Sequence, residues 1–128
     1  MSNNEQILVV EDNDFVRMQI VSYLAGAGYD VLQARDGREA LDLMVADNDV
    51  TLSVVDVRME PMGGFEYIRV LRGEDIQKPV ILVTGDQTPD LLEQSGKLGV
   101  AAVLMKPVEK ERLVKTVERI IRSEGRKK

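Results

Sequence analysis

Five polar side chains stand where four short apolar runs end. Glu11 and Asp12 close Ile7-Leu8-Val9-Val10, Asp56 closes Leu52-Ser53-Val54-Val55, Thr84 closes Val80-Ile81-Leu82-Val83, and Lys106 closes the run from Val100 to Met105. If these runs are strands of an open parallel sheet, their carboxyl ends lie side by side, at the crevice where such sheets bind ligands. Three carboxylates, a hydroxyl and an ammonium would then meet in one hollow. Neighbouring carboxylates repel, and a partly desolvated cluster of them costs stability. A hard divalent cation, Mg²⁺ or Mn²⁺, relieves that conflict, because it prefers oxygen ligands and combines one or two carboxylates with phosphate oxygens. It also offsets the charge of an incoming phosphoryl group. The set points to cation-dependent phosphoryl acceptance, with Lys106 a flexible point charge and Thr84 a hydroxyl donor. Each residue alone is ordinary: a helix cap, a strand end, a turn. Even together they admit a plainer reading, a salt-bridged acidic cluster with no metal.

The elements that must position them follow from periodicity. Short apolar runs alternate with longer segments of helical spacing, the rhythm of βα repeats on a parallel sheet. The first strand is expected over about Ile7 to Val10. A helix over about Asp14 to Ala25 places Phe15, Met18, Val21 and Leu24 on one inward stripe, with Val16 and Ile20 alongside. Asp14 is its expected N-cap, and Gly26 and Gly28 end it. Asp30 to Ala34 is a second strand, less apolar and so nearer an edge. Asp36 caps a helix carrying Ala40, Leu41, Met44 and Val45.

The third strand spans about Thr51 to Val57, and Pro61, Gly63 and Gly64 mark the loop after it. A helix over Phe65 to Arg72 follows. Pro79 opens the fourth strand, which ends near Thr84, and Gly85 to Thr88 form a loop. Pro89 suits the first turn of a short helix through Leu91 and Leu92, ending near Gly96 or Gly99. The fifth strand covers about Val100 to Met105. The last helix begins after Pro107 and carries Leu113, Val117, Ile120 and Ile121 at helical spacing. Residues 1–128 read as one α/β domain, with a core over about 7–122 between polar tails.

Composition narrows the chemistry. At 128 residues and 44% hydrophobic, the chain can bury a sizeable core. It has 22 acidic and 17 basic side chains, a net charge of −5, which argues against general binding to nucleic acid or membranes. Arg119, Arg122, Arg126, Lys127 and Lys128 crowd the C-terminus; a solvated helix end accounts for them, since cations suit that end of the helix dipole. There is no cysteine, hence no disulfide framework or thiolate chemistry, and no histidine, hence no Ser-His triad, no His-ligated metal and no internal phosphohistidine. No apolar stretch approaches the ~20 residues of a membrane span. The polar N-terminus lacks a signal-peptide core, so a cytoplasmic location is expected.

The ordered set of Glu11-Asp12, Asp56 within Val-Val-Asp-Val-Arg-Met, Thr84, and Lys106-Pro107 resembles a response regulator receiver domain of two-component signalling. The match runs from Ile7 to about Arg122. The resemblance implies a flavodoxin-like, doubly wound (βα)5 three-layer sandwich with a five-stranded parallel sheet in the order 2-1-3-4-5. It implies that Asp56 is the phosphoacceptor, that Glu11 and Asp12 bind the metal with Asp56, and that the Arg58 main-chain carbonyl completes the metal shell. Thr84 matches the switch hydroxyl, Lys106 the phosphoryl-contacting lysine, and the Lys106-Pro107 bond is expected to be cis.

Three departures stand out. The loop reads Met59-Glu60-Pro61-Met62-Gly63-Gly64, its proline one place later than is common, so an altered local backbone around an intact site is expected. Gly85 replaces a frequent alanine. Val103 stands where an aromatic often swings inward with the threonine, which puts the readout of the signal in question rather than the phosphorylation chemistry.

On this reading the donor is a histidine kinase or histidine phosphotransfer protein, since the chain has no histidine of its own. The output face is that of the fourth helix, fifth strand and fifth helix. Arg58 and Asp86 flank the expected mouth with opposite charges and could modulate water access. Three rivals remain. An aspartyl-phosphate phosphatase would want an acid at position 58. A flavodoxin-like ligand-binding module would want a phosphate-cradling loop where Glu11-Asp12-Asn13-Asp14 stands. A degenerate receiver would act only as an unphosphorylated docking module.

Overall fold

The computed structural model describes residues 5–46, 49–86 and 88–126. Gln87 of the loop after the fourth strand and Lys127 and Lys128 of the basic C-terminus lie outside those residues. In chain order the elements are β1 (Gln6–Val10), α1 (Asp14–Gly26), β2 (Asp30–Ala34), α2 (Gly37–Ala46), β3 (Val50–Asp56), α3 (Gly64–Gly73), β4 (Val80–Thr84), α4 (Pro89–Lys97), β5 (Ala102–Met105) and α5 (Lys110–Arg126). The five strands form one parallel sheet in the order β2-β1-β3-β4-β5. The less apolar β2 is an edge strand, as its composition implies. No helix among the described residues is long and apolar enough to cross a membrane.

Alternation along the strands divides the core in two, because successive side chains point to opposite faces. Ile7, Val9, Leu52, Val54, Ile81, Val83 and Leu104 face α1 and α5, meeting Ile20, Leu24, Leu113, Val117 and Ile120. Leu8, Val10, Val55, Val80 and Leu82 face the other way, against Ala40 and Met44 of α2 and Tyr67, Ile68 and Leu71 of α3. Both faces of the inner strands are covered, which is why those runs are nearly all apolar, Thr51 and Ser53 of β3 being the interior exceptions.

Local chemistry sets the helix ends. Asp36 Oδ1 accepts from the N–H groups of Arg38 and Glu39 at 2.8 and 3.0 Å, capping α2 as expected. Thr88 Oγ1 accepts from Leu91 N at 3.3 Å, and Pro89 follows in the first turn of α4. Gly28 and Gly99, with φ of 98° and 68°, turn the chain after α1 and α4 in the left-handed region that glycine tolerates.

Helix α1 departs from expectation in two ways. Its N-cap is Asn13, whose Oδ1 accepts from Val16 N at 2.9 Å, while Asp14 sits in the first turn and pairs with Arg17. Its inward face also carries Arg17, Ile20 and Leu24; Phe15 and Met18 point to water, 76% and 65% exposed. An arginine displaced the expected methionine and phenylalanine because it finds polar partners inside. Val45 of α2 is likewise outside. The strand and helix bounds otherwise shift by one to three residues, within the usual ambiguity of element ends.

Candidate functional site

The order of the sheet reverses at β1, with β2 on one side and β3 on the other. At that switch point the carboxyl ends of the strands leave a crevice. Glu11 follows β1 directly, Asp56 ends β3, Thr84 ends β4 and Lys106 follows β5, so all four are delivered to one edge. They line one open hollow together with Asp12, Asn13, Arg58 and Asp86.

Lys106 is the hub of that hollow. Its Nζ lies 3.0 Å from Asp56 Oδ1 and 3.1 Å from Glu11 Oε1. Glu11 Oε2 accepts from the main-chain N–H of Asn13 at 3.1 Å. Glu11 is 2% exposed and Asp56 7%, whereas Asp12 is open to solvent. Burial pushes the Glu11 carboxyl above the usual carboxylate range, and the Asp56 charge adds to the effect. Burial raises Asp56 likewise, with the Asp12 charge adding to it, while Lys106 and the Val57 N–H oppose the rise. For Lys106 burial alone would favour loss of its proton, but the two carboxylates outweigh it and hold the ammonium above its ordinary value.

Thr84 is turned into its own loop. Its Oγ1 accepts from Asp86 N at 3.0 Å and donates to Asp86 O at 3.2 Å. Asp86 Oδ1 accepts from Thr88 N at 3.2 Å, which links this loop to the cap of α4. Across the mouth, Arg58 Nη2 lies 2.7 Å from Asp86 Oδ2, an ion pair between the loops after β3 and β4. Lys106-Pro107 is cis, as expected, and Glu60-Pro61 in the displaced-proline loop is cis as well. Val103 is half-buried and packs at the border of the α2–α3 side of the core.

The glycines of that loop explain how Asp56 is held. Gly64 N donates to Val57 O at 2.9 Å, and a Cβ on Gly64 would come within 2.5 Å of Asp56 O. Gly37 N donates to Met62 O at 2.9 Å, so the start of α2 also rests on this loop. Sequence reasoning treated Gly63-Gly64 as a turn marker and overlooked the close approach of the two backbones. It also overlooked Arg17, although an arginine three and seven residues before Ile20 and Leu24 was a legible sign of an inward cation.

Comparison with known proteins agrees with this geometry. A sequence model of the response regulator receiver domain matches residues 7–118. The chain is a response regulator receiver domain. The receiver superposes on the chemotaxis protein CheY4 of Vibrio cholerae with a TM-score of 0.85 at 30% identity, covering 91% of this chain and 98% of that one. It is 33% identical over 118 residues to the CAI-1 autoinducer sensor kinase/phosphatase CqsS of Vibrio cholerae, covering 90% of this chain but 17% of the relative. It is 34% identical over 122 residues to the transcriptional regulatory protein YkoG of Bacillus subtilis, covering 94% of this chain and 53% of the relative. The receiver thus spans only part of the length of these curated relatives.

The donor set fits a hard divalent cation. Glu11, Asp12 and Asp56 each offer a carboxylate oxygen, all within 4.8 Å of one another. Oxygen-only ligands beside open solvent suit Mg²⁺ or Mn²⁺, which keep several waters. The raised affinity of Glu11 and Asp56 for protons comes first from burial, with a neighbouring carboxylate adding to it in each case, a conflict that a bound cation would relieve.

Proposed function

We propose that this receiver accepts a phosphoryl group on Asp56 from the phosphohistidine of a histidine kinase or histidine phosphotransfer protein. The observation that carries the reading is the sharing of Lys106 between Asp56 and Glu11 in an open hollow, at distances of 3.0 and 3.1 Å. Glu11, Asp12, Asp56 and the Arg58 carbonyl are the residues that would hold the cation, which supplies charge neutralisation for the transferring group when bound.

An Asp56 carboxylate oxygen forms a bond to phosphorus as the bond from phosphorus to the donor imidazole nitrogen breaks; the electron pair stays with the imidazole. A carboxylate nucleophile needs no general base. Lys106 offers its charge to an equatorial phosphoryl oxygen, and the Thr84 hydroxyl, released from Asp86, donates to another. Water later cleaves the acyl phosphate to regenerate the Asp56 carboxylate and inorganic phosphate. Two kinases among the relatives, CqsS and the peroxide stress-activated histidine kinase mak3 of Schizosaccharomyces pombe, contain a segment that this chain matches at 33% identity. This supports a histidine kinase as the partner class.

The phosphoryl group adds roughly −1.5 to −2 charges and strong acceptor oxygens. Drawing Thr84 inward loosens the Asp86–Thr88 link to α4, so the face of α4, β5 and α5 changes population. A groove along β5 and the start of α5, lined by Val103, Leu104, Arg112, Lys115 and Arg119, belongs to that face. With Val103 lacking a ring, the hydrogen-bonded loop is the route for the signal.

Incubation with acetyl phosphate and Mg²⁺, followed by intact mass, tests the chemistry. One phosphoryl adduct per chain is expected, not formed when the metal is chelated beforehand and absent in Asp56→Asn. An Asp56→Asn chain that takes up the group as well as wild type overturns the assignment. Val103 favours one other reading, a docking module that needs no phosphorylation; a folded chain that takes up no phosphoryl group from any donor selects it.

A further inference from the structure

Arg17 is buried, 8% exposed, and none of the chemistry above uses it. A guanidinium withdrawn from water is costly unless its donors are satisfied. Here each of its three nitrogens has a partner, from three separate parts of the chain. Nη1 donates to the main-chain oxygen of Glu11 at 3.0 Å, Nε to Gln33 Oε1 of β2 at 3.0 Å, and Nη2 to Asp14 Oδ1 at 2.7 Å. Glu11 N in turn donates to Ala34 O of β2 at 3.0 Å. The backbone of Glu11 is therefore tied on both sides, by β2 through its N–H and by Arg17 through its C=O. Its side chain is tied through Oε2 to Asn13 N.

We infer that Arg17 is a positioning residue for the cation site: its buried fork fixes the Glu11-Asp12 turn so that both carboxylates face Asp56. The inference rests on the cation reading of the hollow given above. It has a distinctive sign. Arg17 carries the same charge as the metal, so through Coulomb repulsion alone its removal should tighten cation binding. If its role is to hold the turn, removal weakens binding. Groups that orient metal ligands typically change affinity by about 10- to 100-fold when lost.

Mn²⁺ binding to the full chain, followed by water-proton relaxation enhancement without any phosphodonor, decides the matter. Arg17→Met should weaken Mn²⁺ binding about tenfold. Arg17→Lys, which keeps the charge but lacks the planar fork, should recover only part of the loss. Urea unfolding of each variant checks that the protein titrated is folded. If folded Arg17→Met binds Mn²⁺ as well as wild type or more tightly, the inference is wrong. Should Arg17→Met not fold, Gln33→Met decides: it leaves Arg17 in place and frees one tether, and should weaken binding severalfold, whereas unchanged affinity overturns the idea. A wild-type chain that binds no Mn²⁺ refutes the cation reading itself, and this inference with it.

Discussion

Tyr67 is among the largest fully buried side chains, and its hydroxyl lies 2.7 Å from Ser53 Oγ in the middle of β3. Burial pushes its phenol up to about 12 from an ordinary value of 10.0. The unfolded chain would release that proton near its ordinary value, so between these limits the native state holds more protons. Stability therefore falls as pH rises through this window. A rise of that size corresponds to on the order of 3 kcal/mol. Tyr67→Phe should remove that part of the alkaline loss. It should also cost about 1–3 kcal/mol at neutral pH, because Ser53 is left without its partner. Urea unfolding of both proteins at pH 8 and pH 11 measures the two effects. Lys106 loses its own stabilising contribution as pH rises through its elevated value, so only the difference between the two proteins reports Tyr67. Arg58 and Asp86 offer a second residue-scale test. Their bridge is largely exposed and worth little to stability, within about 0.5 kcal/mol. Yet it spans the mouth above Asp56. Arg58→Ala, which opens the bridge but leaves the Asp86–Thr88 hydrogen bond in place, should shorten the aspartyl-phosphate half-life severalfold by admitting water, with unfolding unchanged; an unaltered half-life removes the bridge from any role in access.

At the scale of elements, the loop from β3 to α3 is the tightest part of the site. Gly64→Ala would drive a methyl group against the Asp56 carbonyl, where a Cβ has 2.5 Å of room. Backbone must then shift, with a loss of about 1–3 kcal/mol and slower phosphoryl uptake; Gly26→Ala, with open space around its Cβ, serves as the control. Normal uptake by folded Gly64→Ala would show that the close approach does not hold Asp56. This contact was invisible in the sequence, where a glycine pair signals only a turn. The strands were legible because β1, β3 and β4 are buried on both faces and so read as largely apolar runs, interrupted within β3 by Thr51 and Ser53. The polar residue at the end of each then fixed the site. The inward face of α1 was not legible, because Phe15 and Met18 fit the helical period as well as Arg17, Ile20 and Leu24 do. What chose between them was the Glu11 carbonyl, a main-chain acceptor that no hydropathy pattern records.

For the whole molecule, part of the net charge of −5 gathers at one rim, where three carboxylates cluster and two of them share one ammonium. The native state tolerates this although burial, with the neighbouring carboxylates adding to it, raises the carboxyl groups of Glu11 and Asp56 above their ordinary values. Neutralising one of them should therefore stabilise the fold. Asp56→Asn keeps an oxygen for Lys106 and should be more stable than wild type in metal-free buffer. Added Mg²⁺ should stabilise wild type more than the variant, since only a ligand that favours the native state raises stability. Chemical unfolding with and without Mg²⁺ checks both expectations, and a less stable Asp56→Asn would mean the cluster is already balanced. The resting position of Thr84 bears on how quiet such a protein is before any message arrives. If Thr84 is the switch proposed above, the engagement of its proton and a lone pair by Asp86 would hold an unphosphorylated copy in its resting shape until a phosphoryl group competes for the hydroxyl.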